Sequence, residues 1–394
     1  MKLRTIQEAD IKNKRVLLRV DFNVPVGNNK IKDEYKIDCA LATINLLLRK
    51  GARQIIIISH FGRPRGKRIK SMSLRPVFRA LKRKIQSVHV KFVVDKIDER
   101  LGKKIERISA RIILLENVRF EKGEDENDDK LAREIASFAD VYVNDAFACS
   151  HRKAASITAI AKYLKSYAGL NLLKEVSYLT SALAPRKPAL ALIGGAKIES
   201  KLPMIKNFLK IYDYILVGGG VANTILAGLN YKVGKSLVDK EYLKDARLLA
   251  KSRKLIIPKD VVISNGDKNG STRVVRISAE HKICSANEQI LDIGPKTIIY
   301  YSSLIRQAQT IIWAGPMGQI ENPKFKHGTI ALAKIIGARA SGKALGMAGG
   351  GETLMAIHQS KMGRYYDFIS TGGGAMLEFL SGKKLSGIDA LILK

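Results

Sequence analysis

Hydrophobic and polar positions divide the chain into two alternating kinds of segment. Short runs of β-branched and other apolar residues are each followed by a longer stretch with apolar residues at helical spacing. This succession predicts an α/β fold of parallel sheets covered by helices on both faces. We predict strands at Arg15–Arg19, Gln54–Ser59, Val90–Val94, Arg111–Leu115, Val141–Asn144, Ala189–Ile193, Tyr214–Val217, Leu255–Ile257, Thr310–Trp313, Ala344–Met347 and Asp367–Ser370, and amphipathic helices at Ile37–Arg49, Leu74–Ile85 and Lys130–Phe138.

The length of 394 residues predicts two domains, because a single domain usually has ~100–200 residues. A boundary is expected near Tyr167–Asn171, where Gly169 precedes a long helical stretch, Leu172–Leu183. We therefore expect an N-terminal domain over residues 1–169, a connecting helix over 170–184 and a C-terminal domain over 185–379, with about 380–394 packing back on the first.

Composition places the chain among globular proteins. Hydrophobic residues make up 46% and charged residues 27%, which excludes a disordered or fibrous protein. No apolar run approaches the ~20 residues of a membrane span, and the charged N-terminal segment is unlike a secretory signal. Cys39, Cys149 and Cys284 are widely spaced, which predicts reduced thiols. We expect a cytoplasmic protein.

The charge is unusually positive, with 69 Lys and Arg against 36 Asp and Glu, a net +33. Such a field attracts phosphorylated metabolites, or nucleic acid without sequence preference. The charge is spread over the chain without a single block, which favours a generally basic composition. A nucleic-acid-binding module is an alternative, but aromatic residues are only 6% and no aromatic platform interleaves with the basic residues. A purely structural protein is a further alternative.

Residues that directly follow the predicted strands carry the candidate chemistry, because ligands of open parallel sheets bind beyond the carboxyl ends of the strands. Polar and basic side chains follow the strands of the first half, and glycines follow those of the second. Random placement predicts ~0.2 triple-glycine runs, whereas three occur. The positions are Arg19, Asp21, Asn23, His60, Arg63, Arg119, His151 and Arg152, and then Gly194–Lys197, Gly218–Gly220, Gly315–Gly318, Gly349–Thr353 and Gly372–Gly374.

These two sets together indicate a kinase. Glycine lets a backbone approach phosphates closely, and a following helix offers free N–H groups, whereas guanidinium groups bind a small anion. Tight packing of strands on helices is the alternative explanation for each glycine run. Residues Gly228–Ser236 resemble a phosphate-binding P-loop but have five spacer residues instead of four and follow a helical stretch. The sequence also lacks the glycine fingerprint of a dehydrogenase and the catalytic loop of a protein kinase.

Several longer segments stand in an order and spacing specific enough to indicate a family. They are Arg19–Pro25, Ser59–Pro64, Leu115–Phe120, Asn144–Phe147 with His151–Arg152, Gly194–Lys201, Asp292–Pro295, Trp313–Gly318, Gly349–Thr353 and Ser370–Ala375. Through them the chain resembles the phosphoglycerate kinase family over nearly its whole length. The resemblance implies two Rossmann-like domains joined by a hinge helix. It also implies reversible phosphoryl transfer from 1,3-bisphosphoglycerate to MgADP, giving 3-phosphoglycerate and MgATP, in a protein that is usually monomeric.

The resemblance implies roles for individual residues. Lys36, Lys197 and Lys201 would be catalytic, and Mg²⁺ would be held by Glu352 together with nucleotide phosphates. The glycerate and its 3-phosphate would be bound by Arg19, Asp21, Asn23, Lys36, His60, Arg63, Arg119 and Arg152. The nucleotide would be bound by Gly195, Lys197, Lys201, Gly219, Glu321, Gly350, Gly351, Glu352 and Thr353, with Glu321 on the ribose.

Several positions depart from the family pattern. Lys36 stands where the family usually has Arg, so we expect a reduced but not abolished rate, because lysine lacks the planar fork. The other departures are Ala42 for Pro, Ala314 for Asn, Glu352 for Asp, Phe368 for His, and Ala148–Cys149 for a Gly–Thr pair. A slow, altered or retired member of the family is therefore an alternative. With donor and acceptor on separate domains, the resemblance also implies closure about a hinge at Leu172–Leu183.

Overall fold

The computed structural model describes residues 2–27, 30–265 and 271–393. The chain divides into two compact units. The first consists of Met1–Ser177 with Lys384–Lys394, and the second is Tyr178–Lys383. The division falls within the helix Leu170–Leu183, which contains the segment that the sequence pattern assigns to the connection.

The first unit is built on a six-stranded sheet in which all paired strands run parallel. Its strands and those of a small antiparallel hairpin are β1 (Arg15–Arg19), β2 (Val26–Gly27), β3 (Lys30–Ile31), β4 (Gln54–Ile58), β5 (Val90–Val93), β6 (Ile112–Leu115), β7 (Val141–Asn144) and β8 (Ser166–Ala168). The order in the sheet is β5-β6-β4-β1-β7-β8, and β2 pairs only with β3 among the described strands.

Helices cover both faces of this sheet. They are α1 (Tyr35–Arg49), α2 (Arg75–Lys84), α3 (Glu99–Glu106) and α4 (Asp129–Ala136), and α5 (Leu170–Leu183) runs from the first unit into the second. Successive strand residues point to opposite faces, so Val16 and Leu18 pack in one hydrophobic core while Leu17 packs in the other. Asp98 and Asp128 cap α3 and α4 by accepting hydrogen bonds from backbone N–H groups of the first turn.

The second unit repeats this architecture with a second all-parallel six-stranded sheet. Its strands are β9 (Ala189–Ile193), β10 (Tyr214–Val217), β11 (Leu255–Ile256), β12 (Asp260–Ser264), β13 (Thr272–Arg276), β14 (Gln289–Ile293), β15 (Thr310–Ala314), β16 (Leu345–Gly349) and β17 (Phe368–Ser370). Its helices are α6 (Leu202–Ile211), α7 (Gly219–Gly228), α8 (Leu243–Leu249), α9 (Pro295–Gln307), α10 (His327–Ala340), α11 (Gly351–Ser360) and α12 (Gly374–Leu380). The order is β11-β10-β9-β15-β16-β17.

The α/β class predicted from the sequence is confirmed, and the structure adds two features that the pattern missed. Strands β12, β13 and β14 form a separate antiparallel sheet in the order β13-β12-β14. Strand β8 (Ser166–Ala168) overlaps the start of the segment predicted as a boundary, Tyr167–Asn171, and pairs with β7 at the edge of the first sheet. The pattern missed β8 because three residues are too few to show a strand period.

The last residues of the chain belong to the first unit. They form a short helix, α13 (Ser386–Asp389), and Gly387 N donates to Ser150 O at 2.9 Å. The Asn144 side-chain amide donates to Gly387 O at 3.2 Å, which attaches this segment to the end of β7. Across the described residues, the structure has no helix with the length and apolarity to cross a membrane.

Candidate active site

Arg19 ends β1 and is fixed beneath the surface of the first unit, with only 2% of its area exposed. Its Nε donates to Ser156 Oγ at 2.9 Å, and Nη1 donates to the carbonyl of Val20. Glu124 Oε1 lies 4.0 Å from Nη2 and also accepts from Ser156 Oγ at 2.6 Å. This buried carboxylate and these acceptors offset the cost of burying the guanidinium, so Arg19 presents Nη2 at a fixed place.

Arg19 borders a compact network of His60, Asp21 and Lys36. Nη2 of Arg19 lies 3.4 Å from His60 Nδ1, which is 3.8 Å from Asp21 Oδ1. Lys36 extends from the first turn of α1 and donates to Asp21 Oδ2 at 2.5 Å. Asp21 follows β1 and His60 follows β4, so the parallel sheet brings them together at the carboxyl ends of adjacent strands.

This network controls the protonation of its members. Burial opposes ionisation of Asp21, but the charge of Lys36 and its hydrogen bond to the carboxylate outweigh it and lower the pKa of Asp21 to about 2. Burial lowers the pKa of His60 well below 6.5, and the neighbouring Arg19 lowers it further. Near neutral pH the site therefore holds an ionised carboxylate beside a neutral imidazole.

The turn at Gly62 connects two further predicted residues. Asn23 Oδ1 accepts a hydrogen bond from Gly62 N at 3.0 Å, and Arg119 Nη1 donates to Gly62 O at 2.8 Å. Arg119 is only 6% exposed, and its Nε donates to Asp125 Oδ1 at 2.9 Å. Asn23 and Arg119 are thus held by the same loop that carries His60.

Arg63 and Arg152 lie outside these contacts. Arg63 is exposed, and its side chain makes no hydrogen bond or ion pair with the part of the chain that the structure describes. Arg152 is half-buried, and its Nε contacts His151 Nε2 at 3.1 Å. Both guanidinium groups retain donors for an anionic ligand.

The structural support of Arg19 is not visible in the sequence. The acidic stretch from Glu121 to Lys130 has the composition of a solvated loop or helix start, and most of it is one, but Glu124 is only 1% exposed. Ser156 donates to Glu124 through both its backbone N and its hydroxyl. The helix start is present, since Asp128 caps α4. Nothing in the local sequence distinguishes Glu124 from its exposed acidic neighbours, because its partners are more than thirty residues away along the chain.

In the second unit the predicted glycines bring a lysine and a carboxylate to one point. Gly195, Gly219 and Gly350 have positive φ angles of 87°, 56° and 102°, which glycine adopts without strain. A Cβ atom at Gly195 would lie 3.3 Å from Glu352 Oε2 and 3.4 Å from Lys201 Nζ. The turn after β9 therefore packs against both side chains, and a bulkier residue there would disturb them.

Lys201 and Glu352 are electrostatically linked. Burial lowers the pKa of Lys201, and the Glu352 carboxylate opposes that shift. The Lys201 ammonium donates to Lys197 O at 3.3 Å, whereas the Lys197 side chain is exposed. Glu352 lies in the first turn of α11, and the adjacent Thr353 is buried with its hydroxyl accepting from Gly315 N at 2.7 Å. Thr353 thus fixes the turn after β15 to the start of α11.

Two cavities meet at Glu352. One, of about 230 Å³, has Gly195, Gly219, Glu321 and Glu352 in its wall. The other, of about 280 Å³, lies against Lys201 and the start of α11, with Gly350, Gly351, Glu352 and Thr353 in its wall. All the predicted nucleotide residues except Lys197 therefore lie in the walls of these two cavities of the second unit.

The first cavity contains two residues that the sequence analysis missed. Asn223 is 3% exposed, and its Oδ1 is buried without a hydrogen-bond partner among the described residues. Such an atom costs free energy unless a ligand or water donates to it. Leu237 is 56% exposed and forms an apolar part of the same wall. The glycine run before α7 is the only local signal that could have directed attention to Asn223.

The segment resembling a P-loop does not have P-loop geometry. Gly228 is the last residue of α7, so the segment begins at the end of a helix and not after a strand. The hydroxyl of Ser236 accepts from Ile290 N at 2.8 Å and is buried. The interpretation of this segment as unrelated to phosphate binding agrees with this placement.

The fold and the two sites define a class of protein. One α/β unit has a cationic pocket, and the other has glycine turns beside a lysine and a carboxylate. Together these are the parts of a small-molecule kinase. The chain belongs to the phosphoglycerate kinase family, because residues 6–383 match the family model described as "Phosphoglycerate kinase". This confirms the family inferred from the sequence.

Individual relatives agree with this assignment. A phosphoglycerate kinase of Maricaulis maris is 38% identical over 398 residues, covering 99% of this chain and 98% of the relative. One of Pelotomaculum thermopropionicum is 41% identical over 402 residues, covering 100% of both. The solved phosphoglycerate kinase of Coxiella burnetii has a TM-score of 0.84 at 38% identity, covering 99% of each chain. That of Pyrococcus horikoshii has a TM-score of 0.85 at 28% identity, covering 99% and 98%.

The family assignment establishes the class of reaction. The protein is a kinase that transfers a phosphoryl group reversibly between 1,3-bisphosphoglycerate and ADP, with 3-phosphoglycerate and ATP on the other side. Its place is in glycolysis and gluconeogenesis, and ATP and ADP are its substrates.

Proposed function

We propose that the first unit binds the glycerate substrate at the network around His60 and that the second unit binds the nucleotide at the two cavities around Glu352. The observation that carries this proposal is the clustering of Arg19, Asp21, Lys36 and His60 at the carboxyl ends of β1 and β4. Four functional side chains from three segments converge there, although hydrophobic packing does not require any of them.

On the acceptor side, the proposed division of labour follows charge and exposure. Arg63 and Arg152 have free donors and would bind the 3-phosphate together with Arg119. Asp21 and Asn23 would bind the glycerate hydroxyl and carboxyl groups. Arg19, which is nearly fully buried, acts mainly by orienting His60 and maintaining positive potential in the pocket.

Lys36 is proposed to stabilise the transferring group with its ammonium charge. Asp21 Oδ2 positions the Lys36 ammonium. An ammonium that already donates to a carboxylate provides fewer hydrogen bonds to the equatorial oxygens of the phosphoryl group than a guanidinium fork would. A reduced rate therefore follows from the contact itself. No covalent intermediate is needed, because the phosphoryl group passes in line between two oxygens.

On the donor side, Gly350 and Gly351 would present backbone N–H groups of the α11 N-terminus to nucleotide phosphates. Lys201 would neutralise phosphate charge, with Lys197 reaching in from its exposed position. Thr353 would act indirectly by holding the Gly315 turn.

Mg²⁺ fits this donor set. Glu352 offers a carboxylate oxygen, the hard ligand that Mg²⁺ prefers, beside the glycine turns that would hold phosphates. When bound, the ion would neutralise phosphate charge and align the phosphate oxygens. The Glu352 side chain would hold the ion while Lys201 remains on the phosphates.

The cavity that contains Asn223 would receive the rest of the nucleotide. Its unpartnered Oδ1 would accept a hydrogen bond from the ligand, and Leu237 would pack against an apolar ring face. Glu321 is exposed at the same cavity and would bind the ribose hydroxyls, while Gly195 and Gly219 allow close approach.

Separate binding measurements test the two halves of this proposal. Isothermal titration with 3-phosphoglycerate should show at least about tenfold weaker binding for Arg119→Gln, because a charge-assisted contact contributes about 1.5–3 kcal/mol, while MgADP affinity stays unchanged. Glu352→Gln should show the reverse. Arg100→Gln, at an exposed position in α3, is the matched control and should change neither. Loss of both affinities in one variant, or of neither, would contradict the division of roles.

We further propose that the protein acts as a monomer in the cytoplasm and binds nucleic acid only without sequence preference. The three free cysteines support a cytoplasmic location, and the net charge of +33 supports nucleic-acid binding without sequence preference. Gel shifts at rising salt test the last one, since complexes that persist at high salt would require a dedicated nucleic-acid site. Sedimentation equilibrium tests the monomer.

A further inference from the structure

Cys149 joins two of the site residues in a cluster that substrate binding does not explain. Its Sγ lies 3.6 Å from His60 Nδ1, which is 3.8 Å from Asp21 Oδ1. One potential ligand atom from each of the three residues lies within 4.8 Å of the other two. Cys149 and His60 are each 6% exposed, so the cluster is nearly buried but reachable from the surface.

Two of the three separations are close to those around a tetrahedral metal ion. With Zn–S near 2.3 Å and Zn–N near 2.0–2.1 Å, tetrahedral angles place the sulfur and nitrogen ligands about 3.5 Å apart. The observed distance between Cys149 Sγ and His60 Nδ1 is 3.6 Å. An imidazole nitrogen and a carboxylate oxygen around the same ion would be about 3.4 Å apart, against 3.8 Å here for His60 and Asp21. The third pair, Cys149 Sγ and an Asp21 oxygen, lies within 4.8 Å. A tetrahedral ion would hold these two atoms about 3.6 Å apart, so they would close by up to about 1.2 Å when the ion binds.

We propose that Asp21, His60 and Cys149 form a binding site for Zn²⁺, with water as the fourth ligand. Thiolate, imidazole and carboxylate are the ligand types that zinc takes in proteins. Binding forms a zinc–sulfur bond and breaks the S–H bond of Cys149, whose proton passes to solvent. One proton is therefore released per ion, and no redox step is involved.

The tautomer of His60 fits this role. The guanidinium of Arg19 can only donate, so His60 Nδ1, 3.4 Å from Nη2, is the nitrogen with the free lone pair. That contact is long for a hydrogen bond, and the ion would replace it. Arg19 keeps the bond from its Nε to Ser156 Oγ at 2.9 Å, but its Nη2, which also lies 3.8 Å from Cys149 Sγ, would have to turn away from Nδ1 to admit the ion.

The charges around the cluster limit the affinity. Lys36 engages Asp21 Oδ2, so the oxygen available to the ion is Oδ1, which already accepts from Asn23 N at 3.1 Å. The positive charges of Lys36 and Arg19 oppose a divalent cation, and Glu124, 4.0 Å from Arg19, offsets one of them in part. An exchangeable site is therefore expected, in contrast to a permanent structural one.

Zinc at this position would exclude the glycerate substrate, because it would occupy Asp21 and His60. This consequence rests on the proposed function of the first unit, whereas metal binding itself does not. The two are separable, since binding is measured on the protein alone and inhibition is measured in the phosphoryl-transfer assay.

The test compares the wild-type protein, Cys149→Thr and Cys39→Ser after treatment with a chelator. Cys39, a half-buried thiol on α1, is the matched control. We expect Zn²⁺ titrations to show one site in the wild type and in Cys39→Ser. Binding to Cys149→Thr should be at least roughly tenfold weaker, because even the loss of a group that only supports a metal ligand costs about 10–100-fold in metal affinity. Titration with Co²⁺ should give a thiolate-to-cobalt charge-transfer band in the first two proteins only.

His60→Gln provides a second variant should Cys149→Thr fold poorly, and it should also weaken Zn²⁺ binding and alter the cobalt spectrum. In the assay, zinc should inhibit the wild type in competition with 3-phosphoglycerate and should inhibit Cys149→Thr at least tenfold less. Equal Zn²⁺ affinity in the wild type and Cys149→Thr, or a cobalt spectrum without the thiolate band, would overturn the proposal. Zinc binding without inhibition would instead contradict the proposed place of the substrate.

Discussion

Asp145 offers a test of how burial controls ionisation beside the first site. The residue follows β7 and is 3% exposed, and its Oδ1 accepts from Asn171 N at 2.8 Å and Leu172 N at 3.1 Å at the start of α5. Burial raises the pKa of Asp145 from 3.8 to about 7, although Thr43 and these two N–H groups favour the charged form.

The direction of the stability effect follows from this raised pKa. The folded state holds the Asp145 proton more tightly than the unfolded state, so the stabilisation from protonation is complete below about pH 4 and is lost as pH rises through about 7. Asp145→Asn removes the titration while its Oδ1 still accepts both N–H groups and its amide faces Thr43. We expect the stability of the variant relative to the wild type to rise by about 2–3 kcal/mol between about pH 5 and pH 8.

Differential scanning calorimetry across this pH range measures the effect. The transition of the first unit should show a difference in Tm between variant and wild type that grows by about 5–10 °C, given about 2–4 °C per kcal/mol for a unit of this size. The control is Asp10→Asn. Asp10 is an exposed carboxylate paired with Lys14, and the hydrogen bond from Lys14 lowers the pKa of Asp10. This substitution should change stability little and without a slope over this range, because solvent screens an exposed ion pair. Parallel pH curves for Asp145→Asn and the wild type would refute the reasoning.

Two further variants test the acceptor pocket and the nucleotide fold. Lys36→Arg should raise kcat by up to about tenfold, because a guanidinium can donate to Asp21 and still offer donors to the transferring group. Unchanged turnover would mean that Lys36 does not limit the rate. Gly220→Ala should destabilise the second unit by about 1–3 kcal/mol or more in guanidinium unfolding, because its Cβ would lie 2.0 Å from Ala196 O. Gly351→Ala, with no atom within 4 Å, is its control and should leave stability nearly unchanged.

The sequence was sufficient to predict the two parallel sheets. Strands such as β4 and β9 are continuous apolar runs because both faces are buried, and this is a strong signal. The antiparallel sheet was missed because β13 is largely exposed and contains arginines at both ends of its valine pair. Its apolar residues do not alternate with polar ones, so no strand period is visible.

For the sites, the sequence identified residue types but not their supports. The triple-glycine runs led to the nucleotide cavities, because a positive φ and a close approach leave a compositional trace. Glu124 and Asn223 were missed because their roles arise from burial and from partners distant in sequence. Tertiary packing creates these roles, and local composition does not record it.

A coupled assay with 3-phosphoglycerate and MgATP tests the central claim most directly. The wild type should turn over both substrates, and Lys201→Ala should abolish the activity, because it removes the partly buried ammonium beside Glu352 from the phosphate turn. Lys206→Ala, which removes an exposed ion pair with Asp245, should retain full activity. Absence of turnover in the wild type, or full activity in Lys201→Ala, would contradict phosphoryl transfer at this site.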